Sequence, residues 1–212
     1  MCGLGFVVAY AVTLVLTLNG SPSGETYPDR DLVSYFSDHK DAIGGATALI
    51  ALAGMLFLVF LAGLRERLGE KGGTQATIAV AAGVLYVGLL FAAVAAVAAI
   101  PASLDYQKPF TIDPGTGRLL LSLAFSATYF ASVPAAAFVA ASSTAAQRSR
   151  VLPAWLVRAG YAVGVLCVIG LVLFPVGPML AALWTVPVSV LMLRGRSSVT
   201  SPSARAVHAE RA

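Results

Sequence analysis

The run Asp38-His39-Lys40-Asp41 holds the densest chemistry in this chain. A carboxylate beside an imidazole is a pairing that binds a metal or moves a proton near neutral pH. Either use needs further groups. The other histidine, His208, lies in a C-terminal tail, Cys2 stands at the extreme N-terminus, and Cys167 sits inside an apolar run. No second His or Cys is positioned to complete a metal site, and no disulfide framework or cofactor is expected. A solvated helix end at headgroup level is the preferred reading, with Asp38, His39 and Lys40 kept as outer-surface candidates. The chain has no HExxH, no GxSxG and no phosphate-cradling glycine loop. No Ser/His or Cys/His pair shares a membrane depth, so no catalytic residue is expected and the chain reads as a non-enzyme.

A second polar set lies at a depth where polar groups are uncommon. Tyr86, Tyr129 and Trp184 fall near the middle of long apolar stretches, Ser126 and Thr128 share that depth, and Tyr10 is a further candidate. Aromatics of the interfacial belt belong at the membrane surfaces. A tyrosine in hydrocarbon needs a hydrogen-bond partner from the protein. Two uses follow. Tyr86, Ser126, Tyr129 and Trp184 line a midplane pocket for a neutral or lipophilic ligand, or they bond one helix to another. The second is preferred. Pro134 frees a carbonyl near Phe130 and would kink its helix toward such a pocket.

The elements that must carry these groups are read from hydropathy. Of 212 residues, 58% are hydrophobic and 11% are charged, and mean hydropathy is +0.83. A soluble domain has roughly a quarter charged residues, so the chain belongs to the membrane class. The net charge of +4 is no nucleic-acid signal, because the arginines flank apolar segments and form no basic face. Six helical spans are expected, at 3–18, 42–64, 76–100, 119–141, 155–174 and 178–193. The last two are separated by Pro175, Gly177 and Pro178, which favour a tight hairpin over a re-entrant pair. Residues 195–212 read as a disordered tail. Before the second span, Thr26-Tyr27-Pro28-Asp29 reads as a helix start. Leu32, Val33 and Phe36 then form the apolar side of a short amphipathic helix on the outer membrane surface.

Lys and Arg set the orientation. Arg30, Lys40, Lys108 and Arg118 fall on one side. Arg65, Arg67, Lys71, Arg148, Arg150, Arg158, Arg194, Arg196, Arg205 and Arg211 fall on the other, ten against four. Both termini are therefore expected in the cytoplasm. No ionisable residue lies centrally in any span, which argues against a proton-coupled pump.

Tyr35-Phe36-Ser37-Asp38-His39-Lys40, followed by an apolar span ending Phe60-Leu61-Ala62-Gly63-Leu64-Arg65, resembles a family of small actinobacterial multi-pass membrane proteins of unknown function. Leu152-Pro153-Ala154-Trp155-Leu156 and Trp184 fit the same pattern. The resemblance implies a six-helix integral membrane protein of the cell envelope, and it brings no activity or substrate. The family's N-terminus is usually longer, and no basic flank precedes the first apolar run, so the natural start is expected upstream of Met1.

Small residues predict how the spans pack. Ala124, Thr128, Ser132, Ala136 and Ala140 recur every four positions, as do Gly88, Ala92 and Ala96, and Gly160 and Gly164 make a GxxxG. The expected architecture is thus an all-α polytopic bundle whose partners are the bilayer and, through small-residue faces, further copies or other chains. The expected function is a non-enzymatic membrane module acting as scaffold, sensor or partner subunit. The alternative is a facilitative carrier or binder using the midplane set.

Overall fold

The computed structural model describes residues 2–18, 29–106, 113–173 and 177–194. All regular structure among them is helical. The order is α1 (Cys2–Leu18), α2 (Asp29–Asp38), α3 (Lys40–Leu68), one 3-10 turn (Glu70–Gly72), α4 (Gly73–Tyr106), α5 (Pro114–Ser149), α6 (Ala154–Leu173) and α7 (Gly177–Arg194). Four helices, α3 to α6, are long and apolar enough to cross a membrane. The remaining apolar helices, α1 and α7, are shorter. The fold is that of a membrane-embedded helical bundle. The expected start at Thr26 and the tail 195–212 lie outside the described residues.

The longest helix, α5, is capped at both ends. At the start of α5, Asp113 is extended and its carboxylate accepts from the Thr116 N–H at 2.8 Å and the Thr116 hydroxyl at 3.0 Å. Pro114 follows at the first helical position, where its missing N–H costs nothing. At the far end Arg150 takes the left-handed conformation (φ 55°, ψ 28°) and its N–H donates to the Ala146 carbonyl. Between α3 and α4, Gly69 (φ 55°) and Gly73 (φ 52°) bracket the 3-10 turn. Positive φ at both ends suits glycine, and it reverses the chain in a few residues.

α4 and α5 form the principal helix pair, with α1 on α3, α6 on α5, and α7 against α1, α5 and α6. One continuous row of rings crosses the core. Tyr10 and Phe6 of α1 stack at 5.8 Å, and Phe6 meets Phe57 of α3 at 4.7 Å. Phe57 meets Phe138 of α5 edge-on at 5.4 Å, and Phe138 meets Trp184 of α7 edge-on at 5.8 Å. Tyr86 of α4 joins the row through Phe57 at 5.7 Å. Edge-to-face pairs at these spacings use the ring quadrupoles favourably.

The small-residue stripe of α5 divides its labour. Ala124 packs with Ala93 and Ala96 of α4. Ala136 and Ala140 lie against Gly164 of α6, and Ser132 lies against Gly177 of α7. The stripe expected on α4 is only partly used. Ala96 is buried, whereas Gly88 and Ala92 are exposed, and Ala79, Val87, Leu90 and Ala93 turn inward instead. α4 is apolar on every side, so hydropathy alone could not choose its inner face.

α7 begins deep. Gly177 sits beside Ser132, about 27 Å along α5 from its start. Beyond that level α4 and α5 continue without α7, and α2 covers part of them. Tyr35 and Phe36 are buried with Ile43 and Ile100, backed by Leu120 and Leu121. The amphipathic helix thus lays its aromatic residues on protein. Of the apolar side expected from Leu32, Val33 and Phe36, Phe36 is wholly buried against protein. The physical reason is that Phe36 finds a preformed apolar surface on α4 and α5, which packs more densely than lipid chains.

Candidate functional site

The midplane candidates separate into two groups. Tyr86 and Trp184 belong to the main core, with Tyr86 wholly buried and Trp184 3% exposed. Tyr129 is half-buried and Ser126 is exposed on α5. The structure therefore brings together Tyr86 and Trp184, through Phe57 and Phe138, and leaves Ser126 outside that core. α5 runs from Pro114 to Ser149, and this places Ser126 and Tyr129 in its N-terminal half. The residue at Trp184's level is Phe138.

Tyr86 is fully engaged. Its hydroxyl donates to the Pro178 carbonyl at 2.8 Å, and its ring packs on Phe6 and Phe57. Pro178 lies in the first turn of α7. The same turn is held by the Cys167 thiol, which donates to the Gly177 carbonyl at 3.2 Å. Two polar side chains from α4 and α6 thus fix where α7 begins. Thr128, also at issue as a midplane hydroxyl, bonds the Ala124 carbonyl one turn back at 2.9 Å.

Several other hydroxyls among the described residues are satisfied in that way. Thr13, Thr47, Ser142 and Thr144 each donate to the carbonyl four residues earlier. Four buried polar atoms find no partner among the described residues: the Ser132, Ser143 and Ser189 hydroxyls and the Trp184 Nε1–H. The three serines share one geometry. Ser132 touches Gly177, Ser143 touches Gly160, and Ser189 touches Gly3, each where a glycine Cβ would stand. A hydroxyl set against a bare Cα makes a weak C–H···O contact and lets two helix backbones close together. Trp184 Nε1 also faces Gly160, 3.0 Å from that Cβ position. Sequence reading singled out Gly160 and Trp184 but missed Ser143, since nothing in spacing reveals which serine opposes which glycine.

At the other end, Asp38 is exposed and His39 half-buried. The imidazole stacks on the Tyr35 ring at 4.6 Å, and its Nδ1 lies 3.1 Å from the Tyr35 carbonyl. The ring closes the joint between α2 and α3. Among the described residues no three His, Cys, Asp or Glu side chains converge. Lys40 and Asp41 instead border a groove of about 420 Å³ that also takes in Gly44, Thr47 and Pro101.

A larger groove, about 700 Å³, lies between α1, α3 and α7 at the opposite end. Glu66, Arg67 and Ser189 are among its lining residues. Arg67 Nη2 donates to the Met192 carbonyl at 3.0 Å, satisfying a backbone group in the last turn of α7. No sequence feature pointed to this groove, because its walls come from three helices far apart in the chain.

The chain matches no family model, and no curated protein and no solved structure is significantly similar to it.

Proposed function

We propose that the chain is a six-span, non-enzymatic membrane module, a scaffold, sensor or partner subunit, with both termini in the cytoplasm. The observation that carries this reading is Tyr86. The side chain best placed to meet a midplane ligand is wholly buried and spends its hydroxyl on Pro178. The core polar groups serve helix packing, and the surface is what remains for function. Gly88 and Ala92 of α4 are exposed, and a Cβ at Gly88 would meet nothing within 4 Å. Small residues left outward allow a partner helix to approach closely. Arg65, Lys71, Arg148 and Arg158 are exposed at helix ends on one side of the bundle, which supports a cytoplasmic assignment for that side.

Native mass spectrometry of the protein in lipid nanodiscs tests the reading. A homo-oligomer, or a stoichiometric second chain, that is lost on Gly88→Leu while the helical signal persists supports it. A monomer unaffected by Gly88→Leu sinks the assignment of this face.

A second reading, a binder of a neutral or lipophilic molecule, draws on Trp184 Nε1 and Ser143, both buried and without partners among the described residues. A small molecule retained by the native chain and lost on Trp184→Phe would favour it.

A further inference from the structure

The groove between α1, α3 and α7 has the form of an amphiphile site. Its volume, about 700 Å³, falls within the roughly 300–1,000 Å³ of small-molecule pockets. Along α3 its wall runs from Val59 to Arg67, about 12 Å. Val59, Phe60, Ala62 and Met192 give the lining its apolar part, Ser189 adds a hydroxyl, and Glu66 and Arg67 place its two charged side chains at the C-terminal end of the α3 wall.

Those two charges have opposite sign. Arg67 has one Nη2 donor committed to Met192, which orients a guanidinium whose other donors suit a phosphate. Beside it, Glu66 is an acceptor that suits an ammonium with N–H groups. An anionic headgroup would satisfy the arginine and leave a carboxylate facing like charge. A quaternary ammonium offers the carboxylate no N–H.

We propose that this groove binds one glycerophospholipid with a primary-amine headgroup, of the ethanolamine class. Its phosphate sits on Arg67, its ammonium on Glu66, and an acyl chain lies along Val59, Phe60 and Ala62. The proposal goes beyond the module reading. It rests only on the bundle's being embedded in a membrane, and it holds for whichever leaflet Arg67 faces. Gly63 supplies a specific handle. It lines the groove, and a Cβ built on it meets nothing within 4 Å. A leucine there fills the groove without displacing a neighbour at its Cβ.

The test is native mass spectrometry of the full chain ejected from nanodiscs of equal parts phosphatidylethanolamine, phosphatidylcholine and phosphatidylglycerol. The expected result is one retained lipid per chain, with the ethanolamine lipid favoured by about tenfold from its charge-assisted bonds. Gly63→Leu abolishes retention, Arg67→Gln lowers it for all three lipids, and Glu66→Gln removes the preference over phosphatidylglycerol. Glu66 is exposed, so that variant carries the test if Gly63→Leu does not fold. The proposal is overturned by equal retention of the three lipids, by a preference for the anionic lipid, or by retention unchanged in a folded Gly63→Leu. It is also overturned if no lipid is retained, whether soluble phosphoethanolamine binds in its place or the chain's own residues 195–212 fill the groove.

Discussion

The Tyr86 hydroxyl and the Pro178 carbonyl are joined at 2.8 Å across 92 positions of sequence. The bond ties the middle of α4 to the first turn of α7, two helices that share few other contacts. Tyr86→Phe keeps the ring contacts with Phe6 and Phe57 and removes only this link. The expected loss is about 0.5–1.5 kcal/mol, the usual net value of one hydrogen bond. Unfolding titrations in bicelles measure it. A variant that keeps its fold and oligomeric state supports the packing role proposed for Tyr86.

Phe57 is the hub of the ring row, touching Phe6, Phe60, Tyr86 and Phe138. Phe57→Ala opens a cavity between α1, α3, α4 and α5. A loss of about 3–5 kcal/mol is expected, several times that of Tyr86→Phe. Phe57→Leu, which refills much of the volume, should recover most of it in the same titration.

Gly160 and Ser143 form a pair whose coupling can be measured. Gly160→Ala drives a Cβ into the Ser143 hydroxyl and against Trp184 Nε1, and is expected to destabilise the α5–α6 contact. Ser143→Ala in the same chain removes the hydroxyl from that space and should restore part of the loss. Gly63→Ala is the control, because its Cβ meets nothing within 4 Å. There the better helix propensity of alanine, up to about 1 kcal/mol, should leave stability equal or higher. A double-mutant cycle with no coupling between positions 143 and 160 would refute the pairing.

The start of α5 should respond to acid. Hydrogen bonds from Thr116, backbone then side chain, hold the Asp113 carboxyl below its ordinary value. Because the folded value is depressed, the cap's contribution is fully present above the unfolded pKa. It is lost as pH falls through the lowered folded value. A ¹³C carboxyl titration should place the midpoint below that of free aspartate. Asp113→Asn caps without titrating, so its stability relative to the native chain should shift in its favour as pH falls. A midpoint at or above the free value would contradict this.

Which features were legible in the sequence follows from their range. Charge-free runs long enough to cross hydrocarbon mark α3 to α6 directly, since length and hydropathy are properties of contiguous residues. The GxxxG at Gly160 and Gly164 was readable for the same reason, and both glycines do receive α5. The inner face of α4 was not readable, because alanine and leucine on all sides give no amphipathic signal. The depth register of α5 was not readable either. That register is fixed by packing between helices, with Ser132 on Gly177 and Phe138 on Trp184, and no one segment carries it.

The sequence by itself determined the helical class, the membrane environment, the uneven spread of positive charge and the lack of any familiar catalytic motif. Each of these is local composition acting against hydrocarbon. Tertiary structure alone decided that Tyr86 is a staple to Pro178, that Ser143 opposes Gly160, and that Glu66 and Arg67 line a groove walled by α1, α3 and α7. Those outcomes depend on which faces of uniformly apolar helices meet. In a membrane that choice is made by close packing and by polar groups seeking partners, and neither is written in the pattern of any one segment.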